Sequence, residues 1–137
     1  MPVLTTRTEF RQLADLRLSE ARTLLDNKLW DGVYYLAGYA VECAIKVVII
    51  GRLHASDSYP NRPTVEVFFK HDLTALLRLA ELENDLTASQ DASTQDAWTV
   101  TKDSSEQARY QTNRDESKAV EFYGAAEKVV KWLKTHW

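Results

Sequence analysis

The run Trp30-Asp31-Gly32-Val33-Tyr34-Tyr35-Leu36-Ala37-Gly38-Tyr39-Ala40-Val41-Glu42-Cys43-Ala44-Ile45-Lys46-Val47-Val48-Ile49-Ile50-Gly51 constrains the chain more than any other. It is about six turns long at 3.6 residues per turn and apolar on nearly every face. A helix of that kind is a central one, covered by neighbours on several sides. Asp31 is placed to cap its start and Gly51 to stop it. Ala37, Gly38, Ala40 and Ala44 let other helices approach closely. Val47-Val48-Ile49-Ile50 alone suits a buried strand, but it continues a long pattern with no turn signal between. Glu42 and Lys46 stand four apart with the acid first, the favourable order for a helical pair. A membrane span is disfavoured by Asp31, Glu42 and Lys46, because a charge near the bilayer centre costs roughly 2.5–3.5 kcal/mol on insertion scales.

The remaining segments read as helices laid against this one. Thr6-Arg7-Thr8-Glu9 forms a capping box. It opens a helix to about Asn27 with Phe10, Leu13, Ala14, Ala21, Leu24 and Leu25 on one stripe. Arg17 interrupts that stripe and either snorkels to its edge or reaches Glu42. Residues 52–70 carry turn chemistry, with Val65-Glu66-Val67-Phe68-Phe69 as a helical turn or an extended patch. His71-Asp72-Leu73 opens a third helix to about Leu82. Helix is expected from residue 86 to about Gln95, then an irregular stretch to Lys102. Ser105 to Tyr110 reads as a helical turn or a structured loop. A final helix runs from about Glu116 to Lys134. Residues 1–5 and the extreme C-terminus are expected to be poorly ordered.

The expectation is one all-α domain over residues 1–137, an antiparallel up-and-down bundle of four to five helices. The chain has 137 residues, a 45% hydrophobic share and a net charge of −3, so no global basic field attracts nucleic acid. The single Cys43 cannot form an intrachain disulfide and reads as a small buried hydrophobe. Arg7, Glu9 and Arg11 break the start before any apolar leader forms, which makes the cytoplasm the default compartment. The three histidines are scattered and no cysteine pair exists, so no metal site is legible. The four glycines are isolated and build no phosphate loop, and no cofactor is called for.

The segment Leu29 to Lys46 resembles the HEPN family, prokaryotic modules of four to five helices. The first helix ending in Leu24-Leu25, the His71-Asp72-Leu73 start and the stretch Ser105 to Tyr110 agree with it in order. The resemblance covers roughly residues 8–137. It implies a helical bundle that often pairs with itself. It implies either a metal-independent ribonuclease, often a toxin partnered by a small nucleotidyltransferase antitoxin, or a module that lacks the nuclease motif and binds.

Ribonuclease members carry an Arg, four to six residues, then His. The His moves protons at the 2′-OH and the leaving oxygen, and the Arg stabilises phosphate charge. This chain departs from that pattern. The residues five to seven before His54, His71 and His136 are Ile49, Val48 and Val47; Glu66, Val65 and Thr64; and Lys131, Val130 and Val129. Lys131 has the spacing to His136 but not the planar fork of Arg.

Two readings compete for the remaining polar residues. In one, Arg17, Glu42, Asp72 and Glu106 belong to a structural ion-pair network, with His71-Asp72 as a helix cap. In the other, Lys46, His71 and Arg109 line a small anion pocket, with Tyr110 stacking on a base and His71 and Arg109 as catalytic candidates. Tyr34, Tyr35 and Tyr39 read as core or dimer interface. The leading expectation is a dimeric HEPN binding module, beside a nucleotidyltransferase-type partner in a toxin–antitoxin, defence or stress setting, with RNA or a nucleotide as ligand. The alternative is a metal-independent ribonuclease with non-standard active residues.

Overall fold

Thr6 starts the first helix as its spacing predicts. Its hydroxyl accepts from the Glu9 amide at 3.1 Å, and the Glu9 carboxylate accepts from the Thr6 amide at 2.8 Å. The computed structural model describes residues 5–58, 60–89, 91–103, 112 and 114–137. Its helices are α1 (Arg7–Asp26), α2 (Trp30–Ala55), α3 (Arg62–Phe68), α4 (Leu73–Leu79), α5 (Glu83–Thr87), α6 (Ala92–Thr101) and α7 (Glu116–Lys134). The described residues contain no strand, so the all-α expectation holds. There are more helices than four to five because residues 62–101 are divided into short pieces.

Helix α2 is the axis of the fold. Every residue from Ala40 to Ile49 is buried, including Glu42 and Lys46. α1 packs antiparallel on it: Leu24 meets Gly32 at one end and Arg7 meets Gly51 at the other. α7 runs parallel to α2 on another side. Tyr34 stacks on Phe122 with ring centroids 4.3 Å apart, and the Trp137 indole donates to the Ala44 carbonyl at 3.3 Å. That bond, with Arg11 and Lys134 over the same indole, fastens the C-terminus that the sequence left loose. Ala119, Phe122, Ala126, Val129, Val130 and Leu133 supply the buried face of α7.

Four sequence expectations are corrected. Gly51 does not end α2, which continues to Ala55; the missing side chain instead makes room for the Arg7 guanidinium. Asp31 does not cap α2, whose cap position is Leu29; its carboxylate accepts from the Arg114 amide just before α7. Trp98-Thr99-Val100-Thr101 is helical, not irregular. Its threonine hydroxyls donate back to the carbonyls of Gln95 and Ala97, and Trp98 and Thr101 are buried. The break falls earlier, where Asp91 caps a new helix by accepting from the Ser93 amide. Hydrogen bonds from Ser93 hold the exposed Asp91 carboxyl below its ordinary pKa.

By length and composition α2 could cross a membrane, but 72% of its most apolar window is buried against the other helices. The bundle therefore gives it cover within one chain.

Candidate functional site

Glu42 points from the middle of α2 into a space closed by the start of α4 and by α3. Asp72 builds one wall by capping α4: its carboxylate accepts from the Ala75 amide at 3.1 Å, and Leu73, Leu76 and Leu77 then face the core. This capping fixes His71 opposite Glu42. The His71 Nδ1 lies 2.8 Å from Glu42 Oε1, and the Lys46 Nζ lies 3.1 Å from Oε2. A carboxylate accepts and does not donate, so Nδ1–H is the donor of this contact.

The three groups differ in access. The side chains of Glu42 and Lys46 are 7% and 8% exposed, whereas that of His71 is 36% exposed. Lys46 also lies 5.2 Å from the centre of the Phe68 ring, beneath α3. Each carboxylate oxygen thus has a donor, and the buried ammonium has both a counter-charge and an aromatic face. This is the arrangement that makes buried charge tolerable.

Neighbouring groups on α2 are silenced by the same burial. Desolvation pushes the Cys43 thiol up to about 12, and the adjacent Glu42 charge adds to it. Burial also raises the Tyr39 phenol, with Cys43 and Glu42 reinforcing the shift. Cys43 is therefore a packed hydrophobe and not a thiolate nucleophile at neutral pH.

The structure separates the residues that the sequence grouped. Glu42, Lys46 and His71 come together. Asp72 faces its own helix start and does not join them. Arg17 pairs with Glu20 one turn along α1 and lies over the Tyr39 ring at 5.8 Å, so of its two readings the reach to Glu42 gives way to a local partner. Glu106, Arg109 and Tyr110, and the proposed turn from Ser105 to Tyr110, lie outside the described residues. Lys131 lies in the last turn of α7 and His136 just beyond its end, packed edge-on against Trp132. Among the described residues no group of three His, Cys, Asp or Glu is arranged to hold a metal ion.

Two arginines escaped the sequence reading. The Arg114 guanidinium lies 3.6 Å from the centre of the Tyr34 ring, on the Tyr34–Phe122 stack. Arg7 crosses to α2 and donates from Nε to the Val47 carbonyl at 3.2 Å. Only Gly51, with no side chain to obstruct, hinted at that second approach.

A family model described as the HEPN domain matches residues 8–136, nearly the whole chain. The chain belongs to the HEPN family. No curated protein and no solved structure matches it. In this HEPN domain the resemblance of Leu29 to Lys46 falls on the buried axis, and its polar members, Glu42 and Lys46, are engaged with each other and with His71.

Proposed function

We propose that this HEPN domain is a self-pairing binding module that works beside a nucleotidyltransferase-type partner in a toxin–antitoxin, defence or stress setting, with RNA or a nucleotide as ligand. The observation that carries the choice of binding over catalysis is the placement of Lys46. An ammonium held at 3.1 Å by a buried carboxylate, under an aromatic ring, is poorly placed to meet a phosphate. No histidine stands five to seven residues after an arginine, which supports the same choice. Self-pairing is supported by Leu29 and Val120, which are exposed where the starts of α2 and α7 lie together.

One observation favours the ribonuclease alternative. Glu42 orients the His71 imidazole through Nδ1, and a carboxylate-oriented imidazole can carry protons.

The test uses the purified chain in EDTA with several labelled RNAs, alongside light scattering and co-purification with a co-expressed nucleotidyltransferase. The expected result is a dimer that Val120→Glu dissociates, forms a complex with the partner and leaves RNA uncut. Metal-independent cleavage that disappears in a folded His71→Ala variant would replace this reading with the enzyme. A monomer that binds neither RNA, nucleotide nor partner would overturn both.

A further inference from the structure

A cavity of about 590 Å³ lies between the start of α1, the end of α2 and α3. Glu42 is not among its lining residues; Phe68 is, and its ring also faces Lys46. That volume falls within the range of about 300–1,000 Å³ usual for small-ligand sites. Its walls are apolar, with Ile49, Leu53, Val65, Phe68 and Phe69 prominent. Phe69 is 70% exposed, and Leu53 and Val65 are also exposed. Large apolar side chains in that position leave a greasy entrance.

Among the described residues that line this space, Arg7 carries the strong charge. Arg7 lines the cavity, and its Nε is tied to the Val47 carbonyl, which fixes the plane of the guanidinium. A β-carbon on residue 51 would stand 2.7 Å from Nη2, so Gly51 is what lets the group lie flat on α2. Among the described residues no carboxylate pairs with Arg7. His54, one turn beyond Gly51, adds a second polar group to the lining. A fixed guanidinium presents its remaining donors as a fork that suits a planar carboxylate.

From the apolar cavity and the lone guanidinium on its wall, we infer that this is a binding site for a small amphipathic monocarboxylate, its aliphatic or aryl tail among Leu53, Phe68 and Phe69 and its carboxylate on Arg7. The apolar walls select the tail, and Arg7 selects the head. A dinucleotide or a polyphosphate does not fit this balance, because among the described lining residues Arg7 is the strong cation beside His54 and four threonines, and the largely apolar walls would leave most of its charge desolvated.

The test is calorimetric titration of the full chain with dodecanoate, kept below its micelle concentration, and with dodecanol as the uncharged control. Saturable binding of one dodecanoate per chain is expected, and dodecanol should bind more weakly. Arg7→Gln should weaken dodecanoate about tenfold or more while leaving dodecanol unchanged, the effect of removing a hydrogen bond between charged groups. Leu53→Trp, which fills the cavity, should abolish both. Thermal melts confirm that each variant folds. Absence of saturable binding, or equal loss of acid and alcohol in Arg7→Gln, overturns the proposal. So does binding seen only after residues 1–4 are removed, which would assign the cavity to the chain's own start. Dodecanoate that dissociates a dimer would assign it to a second copy and overturn it likewise.

Discussion

Leu24 closes over Gly32: its Cδ1 stands 2.7 Å from where a β-carbon on that glycine would be. The contact sets how closely α1 and α2 approach just beyond their connecting turn. Gly124 in α7 has nothing within 4 Å of the same point. The two glycines should therefore respond oppositely. Gly124→Ala should stabilise by about 0.5–1 kcal/mol, the helix-propensity gain. Gly32→Leu should destabilise by about 1–3 kcal/mol through overpacking. Gly32→Ala should fall short of the Gly124→Ala gain, because Leu24 must turn aside. Urea unfolding of the three variants checks the order.

Lys28 and Glu81 both have positive φ, 61° and 60°, directly after helix ends. Each sits in the same double hydrogen-bonded cap: the Leu29 and Lys28 amides reach the Leu24 and Leu25 carbonyls, and the Leu82 and Glu81 amides reach those of Leu77 and Arg78. A side chain in that conformation costs about 1–2 kcal/mol, which glycine avoids, while glycine gains freedom in the unfolded chain. Lys28→Gly and Glu81→Gly should each raise stability by a net ~0.5–1 kcal/mol. A fall in melting temperature for either would show that the lost side chain makes a contact of comparable weight.

The Glu42–Lys46 pair should be far more sensitive to losing one member than both. Glu42→Ala leaves the Lys46 ammonium buried without its counter-charge and should cost about 3–5 kcal/mol. The double variant Glu42→Met with Lys46→Met replaces the pair by apolar volume and should recover most of that loss. Chemical denaturation of Glu42→Met, Lys46→Met and the double variant, beside Glu42→Ala, measures these differences and the coupling of the pair. A Glu42→Ala cost below about 1 kcal/mol would mean that water reaches Lys46.

Cys43 gives the fold a pH limit. The thiol ionises near 9 when unfolded and is pushed up to about 12 when folded. Its contribution is fully present below pH 9 and is lost as pH rises toward 12, because the unfolded thiol releases its proton first. The slope is about 1.4 kcal/mol per pH unit for one group. The phenols of half-buried Tyr39 and buried Tyr123, raised chiefly by desolvation, add in the same direction above pH 10. Cys43→Ala should flatten the fall in stability between pH 9 and 10, where the tyrosines contribute little. Equal slopes for variant and parent would show that the thiol is hydrated in the native state.

Where the signal was local, the sequence was readable. The Thr6–Glu9 box, the buried stretch around Glu42 and the span of α7 all follow from residues within one or two turns of each other. Glu42 and Lys46 were legible as a pair because four residues is one helical turn. That His71 is Glu42's direct partner was not, since it lies 29 residues from Glu42 and depends on how Asp72 seats α4. Arg17 stayed open for the opposite reason: it could snorkel to the edge of its stripe or reach Glu42, and Glu20 on its own helix is nearer in chain and geometry.

By itself the sequence determined that this chain is all helix, that residues 30–50 form its axis and that Cys43 is interior, because hydrophobic periodicity and caps act along the chain. Tertiary structure alone decided which charges meet and which groups face open space. Gly51 shows the difference. Along the chain it is a helix stop. In the fold it is a gap that admits Arg7 from 44 residues away and leaves a guanidinium on the wall of an apolar cavity. Helix caps and periodicity are fixed by neighbours in sequence. The partner of a long charged side chain is fixed by the packing of distant helices, which a local pattern does not encode.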